Sequence, residues 1–214
     1  NPINNKKGIQ KIKYLKKKFN IKIDGITCDF FMEAPFFLKK NFQTLDQLYL
    51  LIENSRVLKI KYIVLPLVDN GRIKNKTYEK IFLKQVSKLG KILEKNKVKL
   101  IFESDFEPQK LLKFINKLPK KNFGINYDSG NSAGFNYKFN DEKIYFHRVI
   151  NIHLKDKNKK NISVDLGKGV ANFKDLFEYC KKINYKGNYI LQTARNKNDV
   201  AIMKKNIKFL EKFL

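Results

Sequence analysis

The run "LIFESD" (100–105) reads as a buried strand that ends in acid, with Leu100, Ile101 and Phe102 followed directly by Glu103. The same ending recurs at "GINYDSGN" (124–131), "INIHLKD" (150–156) and "YILQTAR" (189–195), where apolar runs stop at Asp128, His153 and Gln192. Each of these side chains carries lone pairs. Four such endings in one chain point to one site served by several strands, and that decides between the folds the remaining sequence allows.

Outward from these runs, the chain alternates in period. The segment 8–19 places Ile9, Ile12, Leu15 and Phe19 at helical spacing with a basic opposite face. "IKIDGITCDFF" (21–31), rich in Ile, Thr and Phe, predicts a strand. A helix from about Gln43 to Leu58 leads to "IKYIVLPLV" (60–68), whose near-continuous apolar character suits a parallel strand covered on both faces. One long helix over 77–95 then precedes a strand over 98–104. A short helix opened by "EPQKLLKFI", the strand "FGINYD", a helical stretch around 143–148 and the strand "INIHLKD" follow. A helix over 172–183, the strand "NYILQT" and a closing helix from about 198 to 214 complete the chain.

Six alternations of strand and helix predict an α/β architecture with a parallel sheet. An open doubly wound sheet concentrates its site at one crevice, whereas a βα barrel projects functional groups from the C-terminal ends of several strands. No GxGxxG or P-loop pattern follows any strand, and "DLGKGVANF" (165–173) has glycines without either pattern. The expectation is a TIM (β/α)8 barrel, a single domain over 1–214. Such a barrel needs eight strands and six are counted, so about two N-terminal strands are expected to be absent.

Composition bounds what such a domain does. With 214 residues and 43% hydrophobic content the chain can bury one sizeable core. No stretch approaches the roughly 20 apolar residues that cross a bilayer, and no secretory leader is legible, so a soluble cytoplasmic protein without a membrane partner is expected. Cys28 and Cys180 stand far apart with no CxxC spacing and read as buried free thiols. The net charge of +26 resembles a nucleic-acid binder's, but only Arg56, Arg72, Arg148 and Arg195 are arginines and the lysines are dispersed through nearly every segment. Nucleic-acid surfaces favour arginine and a clustered stripe, so lysine reads here as a generic solvated residue and no nucleic-acid partner is expected.

Taken singly, the strand endings have plain readings. Glu103 suits a solvated strand end, Asp128 an Asx-type cap in "DSGN", and Gln192 alone attracts no attention. His147, the other histidine, lies in a helical stretch and reads as a surface or packing residue. Together, two carboxylates, an imidazole and an amide oxygen form a mixed O/N set suited to one divalent ion, Mn²⁺, Mg²⁺, Co²⁺ or Zn²⁺. Such an ion polarises a hydroxy-carbonyl unit as a Lewis acid.

The order of a strand-end Glu, "YDSGN", "INIHLKD", "LGKGVANFKDLF" and a "GNYILQ" strand resembles the xylose-isomerase-like TIM barrels. That superfamily includes sugar phosphate isomerases and epimerases, hydroxypyruvate isomerases, inosose dehydratases and metal-dependent AP endonucleases. "ITCDFFMEAPF" and "IVLPLVDNGRI" resemble the third and fourth strands of the sugar-isomerase members. The resemblance covers essentially the whole chain. It implies one divalent metal held by Glu103, Asp128, His153 and Gln192. It also implies a catalytic pair at Glu103 and Gln192, one member removing the proton next to the substrate carbonyl and the other returning it on the opposite face. Members use a glutamate at the last of these positions; an amide can offer its oxygen to a metal but cannot take a substrate proton. Asn131, Lys155, Asp156 and Arg195 fall near the implied rim as substrate contacts, Arg195 matching a phosphate.

The resemblance therefore implies an isomerase or epimerase of a sugar or sugar phosphate, with homo-oligomers among its relatives. The alternative is a non-catalytic sugar-binding barrel that has lost its second base. The AP endonuclease branch is disfavoured, because its members carry a zinc-binding histidine where this chain has Asn131, and two histidines in all do not readily build a three-zinc site.

Overall fold

The computed structural model describes residues 2–192 and 198–213. In chain order the helices are α1 (Lys6–Lys18), α2 (Phe30–Glu33), α3 (Thr44–Leu58), α4 (Lys76–Ser87), α5 (Gly90–Asn96), α6 (Pro108–Ile115), α7 (Ser129–Gly134), α8 (Phe139–Glu142), α9 (Phe173–Lys182) and α10 (Asp199–Leu210). The strands are β1 (Gly25–Thr27), β2 (Tyr62–Leu67), β3 (Lys99–Ser104), β4 (Phe123–Asp128), β5 (Val149–Leu154), β6 (Asp156–Lys157), β7 (Ser163–Val164) and β8 (Asn188–Leu191). Among the described residues, one sheet has six strands in the order β1-β2-β3-β4-β5-β8, and β6 and β7 form a separate antiparallel pair. The paired registers of the larger sheet are parallel, so the α/β reading holds.

The chain divides into two compact units, one of residues 1–104 and 114–124, the other of residues 105–113 and 125–214. In the first, β2 is buried at every position, as its apolar run requires, and β3 at every position but its ends. Phe36 stacks on Phe82 with ring centroids 5.5 Å apart, and Phe82 meets Phe102 edge-on at the same separation. Leu48, Leu51 and Ile52 of α3 are fully buried, the i, i+3, i+4 stripe that the spacing dictates. In the second unit, Tyr127, Phe139, Phe146 and Tyr179 form one aromatic cluster and Phe173, Phe177, Phe209 and Phe213 another.

Asparagine accounts for several helix starts. The side chains of Asn5, Asn75, Asn172 and Asn198 accept from the backbone N–H three residues on, opening α1, α4, α9 and α10.

Local boundaries depart from the sequence expectations in three places. The strand expected over 21–31 is confined to Gly25–Thr27, because Phe30–Glu33 turns into a helix that buries Phe31. The single helix expected over 77–95 is two, interrupted at Lys88 and Leu89. The helical stretch at 143–148 is a 3-10 helix throughout. Both cysteines are buried free thiols, and burial pushes Cys28 up to about 12. Among the described residues, no helix is long and apolar enough to cross a membrane.

Candidate metal and substrate site

In the first unit, Glu103 is the penultimate residue of β3, aligned with Pro66 of β2, and its residue surface is 7% exposed. A carboxylate at such a depth needs hydrogen-bonded or charged company, and Glu103 has partners.

In the second unit, Asp128 and His153 are direct partners across the β4–β5 ladder. Parallel register places their side chains on one face, with His153 Nδ1 3.9 Å from Asp128 Oδ2 and both side chains at most 5% exposed. The other carboxylate oxygen, Oδ1, accepts a 2.7 Å bond from the Asn131 N–H and caps α7. Asp128 thus performs the capping role open to it in sequence while presenting its second oxygen to the imidazole.

Two residues earlier on each strand, Asn126 and Asn151 form the preceding cross-strand pair on the same face. Asn151 Nδ2 donates to Asn126 Oδ1 at 2.6 Å, and Asn126 Nδ2 lies 3.1 Å from His153 Nδ1. All three residues are buried. Neither asparagine stood out in sequence; the period-two spacing Asn126–Asp128 and Asn151–His153 is the signal that identifies them.

The start of α7 is tied to the end of β5 through Ser129. Its hydroxyl donates to the Lys155 carbonyl at 2.7 Å and accepts from the Lys155 N–H at 3.0 Å, extending the ladder past the strand. Lys155 lies over Gly130, where a Cβ would stand 2.6 Å from Lys155 Cγ. Lys157 Nζ donates to Asn131 Oδ1 at 3.1 Å. Lys157 was not anticipated, although His153, Lys155 and Lys157 share an alternating spacing.

Asp156 behaves differently from its expected substrate contact. It is fully buried, and its two oxygens accept from the N–H groups of Lys157, Gly167, Gly169 and Ala171 at 2.9–3.0 Å. Its observed work is to hold the loop 165–171. The glycines of "DLGKGVA" follow from this: Gly167 has φ +81°, and a methyl on Gly169 would overlap Asp156 Oδ1 and the Lys157 carbonyl. They serve a carboxylate of the chain itself, by the same convergence of backbone N–H groups that binds anions elsewhere.

Gln192 follows β8 directly, donates its backbone N–H to the Leu154 carbonyl at 3.0 Å and is exposed. Arg195 lies outside the described residues. His147 is exposed, in keeping with a surface role. On the opposite face of β4, Glu142 accepts from the hydroxyls of Tyr127, Ser132 and Tyr145. Burial raises its carboxyl above the ordinary range, and burial together with the Glu142 charge holds both tyrosines well above theirs.

The family model of the xylose isomerase-like TIM barrel matches residues 3–213. The chain belongs to that family. The barrel expectation is therefore met at the level of fold family, with six parallel strands described here. Among solved xylose isomerase-like structures, a xylose isomerase domain protein from Planctomyces limnophilus aligns with a TM-score of 0.80 at 16% identity, over 98% of this chain and 85% of that one. A D-tagatose 3-epimerase-like protein aligns with a TM-score of 0.77 at 20% identity, over 98% and 83%. The IolI protein with a bound zinc atom aligns with a TM-score of 0.75 at 16% identity, over 95% and 82%. At these identities the likeness is one of fold. No curated protein sequence matches the chain.

Proposed function

We propose that the chain is a metal-dependent isomerase or epimerase of a sugar or sugar phosphate, acting by proton transfer next to a carbonyl. The observation that carries this reading is the buried cross-strand pair Asp128 and His153, an oxygen and a nitrogen donor facing each other at 3.9 Å in a chain of this family. The donor types suit a divalent ion such as Mn²⁺, Co²⁺ or Zn²⁺. Glu103 and Gln192, each at or just beyond a strand's C-terminal end, would complete the ligand set. The zinc in the IolI structure and the name of the epimerase-like neighbour are consistent with this assignment.

When bound, the ion supplies Lewis-acid stabilisation of the charge that develops on the substrate oxygens. Glu103 is the base that removes the proton from the carbon beside the carbonyl, a weak carbon acid whose removal requires that charge to be neutralised as it forms. Gln192 orients a substrate hydroxyl or offers its amide oxygen; it cannot return a proton. Asn131, Lys155 and Lys157 bind hydroxyls or a phosphate beside the pair, and Arg195 remains an assignment from sequence.

Gln192 also supports a second reading, a sugar-binding barrel without turnover. Incubation of the Mn²⁺-loaded protein with candidate ketoses and ketose phosphates in D₂O separates the two. Solvent deuterium entering next to the carbonyl, abolished by Glu103→Gln, supports the enzyme. Sugar binding by calorimetry without deuterium entry supports the second reading.

A further inference from the structure

We propose that Asn126 and Asn151 are positioning residues that keep the proton off Nδ1 of His153, the nitrogen that faces Asp128, and so hold that nitrogen ready for a metal. The inference rests on the metal reading above, but its geometry lies wholly within the β4–β5 pair.

An amide nitrogen only donates and an amide oxygen only accepts. Asn151 gives an N–H to Asn126 Oδ1, which turns the Asn126 oxygen away from the histidine and its Nδ2 toward Nδ1. A nitrogen that accepts carries no proton, so the neutral imidazole holds its proton on Nε2. Turning Asn126 alone would set its Nδ2 against the Nδ2 of Asn151, two donors facing one another in a buried site. The two amides therefore turn together or not at all. Asn151 is fully buried and Asn126 is 2% exposed, so water offers little compensation for a mismatched pair.

Nδ1 is the nitrogen 3.9 Å from Asp128 Oδ2. With the relay set as observed, an incoming ion displaces an amide N–H from that nitrogen and no proton has to leave it. With the relay reversed, Nδ1 would carry the proton and donate to the Asn126 oxygen. The asparagines thus fix ring and tautomer from the side of the nitrogen the ion would take, whereas the usual outer carboxylate or carbonyl does so by accepting from the other ring N–H.

The chain has two histidines, and His147 is exposed, so ring-nitrogen NMR of ¹⁵N-histidine-labelled protein reads His153 against an internal reference. The metal-free wild type is expected to show the Nε2–H tautomer at His153. Asn126→Asp, which replaces the donor by an acceptor, is expected to move the proton to Nδ1 and to weaken Zn²⁺ binding by about 10- to 100-fold in titration. Asn151→Ala is expected to give mixed tautomers and an intermediate loss. Unchanged dispersion of the amide spectrum in each variant shows that the fold is kept, and Asn126→Ser, which retains a small hydroxyl donor, is expected to recover part of the Nε2–H signature. An Nδ1–H tautomer in the wild type, or Asn126→Asp with unaltered tautomer and affinity, would overturn the relay while leaving the metal reading intact. A wild type with the expected tautomer and no affinity for Zn²⁺ or Mn²⁺ would overturn the metal reading and the relay's purpose with it.

Discussion

The hydroxyl of Tyr127 donates a 2.9 Å hydrogen bond to Glu142, on the side of β4 opposite to its neighbour Asp128. The two faces of one strand thus serve two acids with different jobs, Asp128 of the strand itself and Glu142 of α8, which Tyr127 meets from the strand. Asp128 faces His153, whereas Glu142 joins Ser132 of α7 and Tyr145 of the following 3-10 helix to the back of the strand.

Glu142 gives a pH prediction. Burial raises its folded-state value above the ordinary 4.5 that it regains on unfolding. Between those values the folded chain retains a proton that the unfolded chain has lost, so this group's contribution to stability is full below about pH 4.5 and is lost as pH rises through the folded value. Glu142→Gln, neutral throughout, should flatten that slope. Urea midpoints between about pH 4 and 8 would test it; an identical slope in the variant would assign the pH dependence to other groups.

Asp156 predicts a local defect. Asn at this position keeps one accepting oxygen where the carboxylate served four N–H groups, and Ala keeps none. With each buried unpaired donor costing about 1–3 kcal/mol, Asp156→Ala should be among the more damaging single changes in this unit. Hydrogen exchange should locate the damage: the amides of Gly167, Gly169 and Ala171 are expected to lose protection first. Gly169→Ala should reproduce the effect from the other side by overlapping the same carboxylate. Wild-type protection of these amides in Asp156→Ala would show that the loop holds itself.

These residues mark where the sequence was legible. Asp128 and His153 announced themselves because each closes an apolar run, and period-two geometry then requires partnered residues to share a face. Asp156 sits in the same run and reads as another rim contact, since nothing in a sequence says whether a carboxylate will meet solvent or, as here, backbone N–H groups arriving from more than ten residues away. Glu142 lies in the polar stretch "FNDEK", which carries no apolar pattern to mark its burial. The break between α4 and α5 was hidden because Phe82, Val86, Leu89 and Leu93 keep one buried stripe running through it. Strands as short as β6 and β7 are below the length at which alternation can be seen.

The Asp128–His153 pair predicts a metal requirement independent of turnover. Wild-type protein loaded with Mn²⁺ and freed of excess should retain one equivalent, and His153→Ala and Asp128→Ala should retain almost none. Loading should also raise the melting temperature of the wild type and not of the variants, because a ligand that binds only the folded state stabilises it. Equal retention by His153→Ala would place any metal elsewhere.

Gln192 bears on how much chemistry the site supports. If Glu103 is the lone base, the wild type should exchange a ketose α-proton with solvent while releasing little epimer, because no acid stands ready on the opposite face. Gln192→Glu supplies that second carboxylate at an exposed position just past β8, where its introduction should cost little stability. General acid–base groups contribute about 10²–10⁴-fold, so epimer formation in the variant is expected to rise by at least the lower figure while α-proton exchange changes little. The comparison is made on one protein preparation by following deuterium entry and epimer formation together. A rise in epimer alone supports the one-base enzyme. No exchange in the wild type and both activities in Gln192→Glu would mean that the natural chain binds sugar without turning it over. A variant as inert as the wild type would remove Gln192 from the catalytic assignment.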